Sequence, residues 1–224
     1  MPQQTISEMQ VEIQIGPIVL DGDLSVPAEA TGLVLFAHGS GSSRFSSRNR
    51  FVAQWLRERG LGTLLFDLLT ADEDRIDQET RAMRFNTRLL ADRLAGATGW
   101  LQNQDQIKDM NIGYFGASTG SAAALIAAAE NPDTVRAVVS RGGRPDLAQP
   151  YLPQVHAATL LIVGGYDFPV IDMNQEAFEQ LPGEKAIEIV PRATHLFEEP
   201  GALEEVSRLA ADWFERYLGE AGSQ

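Results

Sequence analysis

The spacing of apolar positions changes along the chain, and the changes mark out its elements. Across residues 11–26 (VEIQIGPIVLDGDLSV) apolar and polar residues alternate, the pattern of an antiparallel hairpin whose strands each turn one face to a core. Residues 33–37 (LVLFA) and 63–66 (TLLF) are instead continuously apolar, as central parallel strands covered on both faces must be. A helix is predicted between them over 49–60, ending at Gly60. The alternation repeats with a helix over 85–102, a strand over 112–115, an alanine-rich helix from Thr119 and a strand over 135–140. A buried strand over 159–163, a helix over 172–180 and a last strand over 186–190 follow. Leu203, Val206, Ala210, Trp213, Phe214 and Tyr217 recur at helical spacing and make the stripe of a closing helix, with fraying expected after Leu218.

Strands alternating with helices imply right-handed crossovers. The expected fold is therefore α/β: a mostly parallel sheet with an antiparallel N-terminal hairpin and helices on both faces, in one domain spanning 1–224. No repeat, low-complexity block or linker marks a second domain. Residues 67–84 (DLLTADEDRIDQETRAMR) are dense in charge and are expected to form a solvated loop or short helix near the rim of the sheet, their charges at the surface. Residues 141–158 leave room for a loop and one turn, so no lid or cap domain is expected.

Composition narrows the chemistry. With 44% hydrophobic residues among 224, the chain can bury a full core. The opening MPQQTISEMQ lacks the features of a signal peptide and no apolar run is long enough to span a bilayer, so a cytoplasmic location is expected. The absence of cysteine removes disulfides, thiolate metal sites and a cysteine nucleophile together. A formal charge of −13 disfavours nucleic acid and anionic membranes as partners and favours a small-molecule substrate. The apolar hairpin residues fit a core or a dimer edge equally, which leaves a monomer or a homodimer.

The chemistry concentrates at 112–130 (IGYFGASTGSAAALIAAAE), where an apolar strand meets a Gly-x-Ser-x-Gly turn and leaves as a helix. The small residues Gly116, Ala117 and Gly120 allow a sharp reversal that lifts Ser118 above the sheet edge, and the helix N-terminus behind it favours negative charge. A serine hydroxyl needs a base, and the base an orienting carboxylate. Among His38, His156 and His195, the last follows a predicted strand end and so reaches the same carboxyl edge as the elbow. His38 precedes the HGSGSS turn and is expected to brace it; His156 starts a strand and belongs to the opposite edge. Asp167, after TLLIV in GGYD, reaches the correct edge one strand before His195. The order Ser118, Asp167, His195 is that of α/β-hydrolases. The backbone N–H of Thr119 and that of Ser40, with Gly41 as the alternative, are the candidate oxyanion donors, and neither a metal nor a cofactor is called for.

These segments, HGSGSS at 38–43, GASTG at 116–120, GGYD at 164–167 and ATH at 193–195, resemble the dienelactone hydrolase-like group of the α/β-hydrolases over most of residues 11–218. The resemblance implies a cofactor-independent hydrolase of esters, lactones or similar acyl compounds. One position departs, since dienelactone hydrolases proper carry cysteine where this chain has Ser118. Arginines also gather on loops expected to face the site: Arg44, Arg48 and Arg50, and Arg141 and Arg144. Arg44 and Arg141 are candidates for clamping a substrate carboxylate, or for holding loops by pairing with acids such as Asp67 and Asp146. The same triad would also serve an acyltransferase or perhydrolase, and the fold alone would serve a non-catalytic binding protein.

Overall fold

The computed structural model describes residues 6–219 and contains one eight-stranded sheet, ordered β1-β2-β4-β3-β5-β6-β7-β8. The strands are β1 (Ile6–Ile15), β2 (Ile18–Pro27), β3 (Gly32–Ala37), β4 (Gly62–Phe66), β5 (Asn111–Ala117), β6 (Val135–Arg141), β7 (Ala158–Gly164) and β8 (Lys185–Val190). β1 and β2 pair antiparallel, β2 lies antiparallel to β4, and every pair from β4 through β8 is parallel. The strand order therefore reverses beside β3, the kind of switch point where open α/β sheets place their sites.

Alternation along the central strands divides the core in two. Leu35, Tyr114, Val138 and Leu161 face one cluster, shared with α3 (Thr87–Gln102) and α4 (Thr119–Glu130). Phe36, Phe115, Val139 and Ile162, one residue further on, face the other, shared with α1 (Ser47–Glu58) and α6 (Ala202–Leu218). Burial on both faces explains why these strands read as unbroken apolar runs. Helix α4 is buried from Thr119 to Ala129, and its alanines let the sheet, α3 and the following segment approach on all sides.

Three expectations are corrected. Residues 67–84 hold α2 (Ala71–Thr80), started by a Thr70–Glu73 capping box, and its charges are not all at the surface. Asp77 is 1% exposed and accepts hydrogen bonds from the amides of Met83 (2.7 Å) and Arg84 (3.1 Å) and from Arg84 Nε (2.5 Å). Pro145–Gln154 is a 3-10 stretch longer than one turn, whose Pro150 and Pro153 forbid a regular α-helix; it packs on α4 and α5 (Phe168–Gln180) rather than standing off as a lid. Helix α5 begins at Phe168, earlier than expected, with Pro169 in its first turn. The fraying expected after Leu218 concerns 220–224, which lie outside the described residues. No helix among the described residues is long and apolar enough to cross a membrane.

Candidate active site

Ser118 stands between β5 and α4 with φ 51° and ψ −120°, a conformation that a non-glycine residue adopts only when its surroundings impose it. The imposition is visible. The Ser118 amide donates to the carbonyl of Arg141 at the end of β6 (3.2 Å), and its own carbonyl accepts from the amides of Ser121 (3.1 Å) and Arg144 (3.2 Å). On the other side, a Cβ on Gly120 would stand 2.1 Å from the Ala37 carbonyl oxygen, so only glycine lets α4 start this close to β3.

Asp167 ends the turn after β7 and is the N-cap of α5, yet its side chain makes no cap hydrogen bond. It turns instead to His195, whose Nδ1 lies 2.6 Å from Asp167 Oδ2. An Nδ1–H donated to the carboxylate leaves Nε2 as the free acceptor. The loop carrying His195 packs against the end of β7 so closely that a Cβ on Gly164 would stand 2.6 Å from the carbonyl oxygens of Ala193 and Thr194. It also meets the segment that holds Ser118: a Cβ on Gly142, next to Arg141, would be 3.5 Å from His195 Cε1. All three candidates thus lie at the carboxyl edge. The Asp167–His195 hydrogen bond is made, and none is made between His195 and the Ser118 hydroxyl, a contact that often tightens only with substrate bound.

The loop after β3 answers the elbow from across the sheet edge. The Ser40 amide donates to Thr119 Oγ1 (2.9 Å), which ties the two candidate oxyanion residues together through a hydroxyl that sequence reasoning had not singled out. His38 is buried; its Nδ1 is 3.0 Å from the Gly39 carbonyl oxygen and its Nε2 accepts the Leu68 amide at 3.1 Å. Both nitrogens are engaged with backbone, and burial lowers the pKa of the ring, against smaller opposing effects of the Gly39 bond and of Asp67 and Asp74. His156 is exposed just ahead of β7, at the opposite edge.

The arginines divide. The Arg44 guanidinium pairs with Asp67, its amide donates to Asp67 Oδ1 (2.8 Å), and Asp21 and Asp23 stand 3.7 and 3.9 Å away. Arg50 donates to Asp23 (3.0 Å), and Arg144 meets Asp146 through two bonds of 2.8 and 2.7 Å. Arg48 donates to Glu198 (2.9 Å). The Arg141 guanidinium, 8% exposed, has no hydrogen bond or ion pair among the described residues. A cavity of about 310 Å³ lies behind the Ser40–Gly41 loop, lined by Arg44, Asp67, Asp77 and Arg84 among others; Ser118 and His195 do not line it.

With this geometry in view, the relatives can be compared. The model of the dienelactone hydrolase family matches residues 20–218. The chain belongs to the dienelactone hydrolase family. A crystal structure of a dienelactone hydrolase from Anabaena variabilis superposes with a TM-score of 0.94 at 60% identity, covering 95% of this chain and 99% of that one. Est1E from Butyrivibrio proteoclasticus shares the fold at 16% identity, with a TM-score of 0.79 over 94% of this chain and 99% of its own. A Mycobacterium tuberculosis (strain H37Rv) protein named as a phosphoribosyl transferase is 54% identical over 213 residues, 95% of this chain and 47% of that protein. The chain thus spans about half the length of the curated relatives it matches. The chain carries Ser118 at the turn between β5 and α4 and has no cysteine.

Proposed function

We propose that this dienelactone hydrolase family member is a serine hydrolase that cleaves small esters or lactones through an acyl-enzyme on Ser118. The observation that carries the reading is the strained Ser118 backbone at the head of α4, at the same sheet edge as the 2.6 Å Asp167–His195 pair. His195 takes the Ser118 proton during attack, passes it to the leaving group, and then activates water to release the acyl group. Asp167 keeps the proton on Nδ1 and stabilises the imidazolium as it forms. The amide of Thr119 receives the oxyanion; the Ser40 N–H is already donated to the Thr119 hydroxyl and serves as the second donor only once the oxyanion displaces it, with the Gly41 amide as the alternative, and each such donor is worth about 3 kcal/mol in the transition state. With the 145–154 segment packed down on α4 and α5, the edge stays open, which suits small substrates better than long acyl chains.

The phosphoribosyl transfer in the mycobacterial relative's name belongs to a protein about twice as long, and the elbow with its aspartate and histidine is apparatus for acyl chemistry. The test is covalent labelling with a fluorophosphonate, the adduct located by mass on Ser118, together with turnover of short aryl esters. Ser118→Ala should lower kcat by on the order of 10⁴. Folded protein that neither takes the label nor hydrolyses any ester would overturn the hydrolase and leave a binding protein; acyl transfer to added alcohol or peroxide in preference to water would make it an acyltransferase.

A further inference from the structure

The short segment after β6, residues 141–144 (RGGR), straps the elbow from both sides. The Arg141 carbonyl accepts from the Ser118 amide (3.2 Å), and the Arg144 amide donates to the Ser118 carbonyl (3.2 Å). Between them Gly142 packs on the loop of His195, where a Cβ would stand 3.2 Å from the His195 carbonyl oxygen. The strap cannot keep this shape by itself, because two adjacent glycines, one at φ 52°, leave its backbone unusually free. It is tied from outside at two points. The Gly142 amide donates to the Ile162 carbonyl in β7 (2.8 Å), and the Gly143 carbonyl accepts from Asn174 Nδ2 in α5 (3.1 Å). Among the described residues no other side chain hydrogen-bonds to the backbone of this segment.

Asn174 stands where a helix ordinarily places an apolar residue. The inward face of α5 and its end carries Val170, Asn174, Ala177 and Leu181, all buried, and Asn174 is the polar member at 0% exposed. Asparagine is a poor helix former and a buried amide is disfavoured unless bonded, so packing alone would favour leucine or alanine here. Its Oδ1 is buried without a partner, whereas Nδ2 donates twice, to the Val170 carbonyl one turn back (2.8 Å) and to Gly143. The first bond steadies the amide on its own helix; the second reaches the strap. Helix α5 in turn starts on the Asp167 carbonyl, which accepts from the amides of Val170 and Ile171 (3.0 Å each). We propose that Asn174 is a positioning residue for the nucleophile, joining the strap that imposes the Ser118 conformation to the helix that Asp167 begins. The inference rests on the hydrolase reading above and adds to it a residue that acts through Gly143. Without the tie the strap can shift by a fraction of an ångström, which takes the Ser118 hydroxyl out of line with the Asp167–His195 pair and slows attack while leaving substrate binding alone.

The experiment measures kcat and KM on a short aryl ester, and the rate of fluorophosphonate labelling, for the native protein and for Asn174→Leu, which keeps the volume and removes the donor. Both kcat and the labelling rate should fall by about 30-fold, with KM changed by less than about twofold. Asn174→Gln keeps an N–H donor on a longer arm and should recover part of both losses. Folded Asn174→Leu with kcat and labelling within about twofold of native overturns the proposal, as does a loss carried by KM alone. Should Asn174→Leu not fold, Asn174→Ser makes the same cut, since its hydroxyl bonds the Val170 carbonyl one turn back and loses Gly143, and the same outcomes decide. Failure of the hydrolase reading itself looks different, since the native protein would then take no label at Ser118.

Discussion

Two flanks of the carboxyl edge handle charge in opposite ways. Around the loop after β3 and the 67–84 segment, four guanidiniums are matched with carboxylates: Arg44 with Asp67, Arg84 with Asp77, Arg93 with Glu73, Arg50 with Asp23. Across the elbow, between α1 and the loop of His195, Arg48 has a single exposed partner and Arg141 none. The matched flank spends its polar groups on holding a loop that must present backbone amides. The unmatched flank leaves a buried guanidinium without counter-charge, which is a cost to folding. The acidic residues lining the 310 Å³ cavity are thereby tied into structure, Asp67 by Arg44 and Asp77 by Arg84.

The hardest test of the matched flank is Asp77. Its carboxylate would have a raised pKa from burial alone, but the hydrogen bonds from Arg84 and Met83 and the Arg84 charge outweigh this and lower it, so it stays ionised. Asp77→Ala strips one partner from a guanidinium and two amides at once, and should cost about 3 kcal/mol in a chemical denaturation experiment. A loss well under 1 kcal/mol would mean that the flank is not held by its ion pairs.

A smaller effect is sharper because its sign differs between the flanks. Arg44→Met removes the partner of Asp67 and should lower stability by about 1 kcal/mol. Arg141→Met replaces an unpaired buried charge by an apolar chain of similar length and should raise stability by about the same amount. Thermal melts of the two variants beside the native protein read both signs; if both fall, Arg141 has found its compensation within the fold and the contrast between flanks is lost.

How much of this was legible in the sequence follows from the range of each interaction. The alternation at 11–26, the apolar runs and the elbow glycines act over a few residues or through burial, and each appears in the structure as an element of the expected kind. The 70–73 capping box was equally local and was there to be read in T-x-x-E, the signal that 67–84 begins as a helix. Asp77 carried no such signal, because nothing in DQETRAMR distinguishes an acid that folds back on its own loop from one that faces solvent. Chain order brought Asp167 and His195 to one edge, and they meet there. The Thr119 hydroxyl on the Ser40 amide joins residues 79 apart, and the sorting of Arg44 from Arg141 depends on which acids stand nearby in space. Neither is written in spacing.

The smallest effect concerns His38, which keeps the matched flank in register by accepting the Leu68 amide on Nε2. To accept there the ring must be neutral, and its burial lowers the pKa below the ordinary value of about 6.5. Between that value and the lower folded one, the unfolded chain binds a proton that the folded chain refuses, so protonation favours unfolding. This contribution is whole above about pH 6.5, declines as the pH falls through that value, and stops declining once the folded ring also takes a proton. Every other titratable group is common to the native protein and His38→Gln, so the difference between their stability profiles isolates His38. The native protein should lose more stability than His38→Gln between about pH 7 and pH 5.5. Parallel profiles would mean that the imidazole can be charged in place, and the neutral ring would then no longer be what holds the Ser40 loop against the elbow.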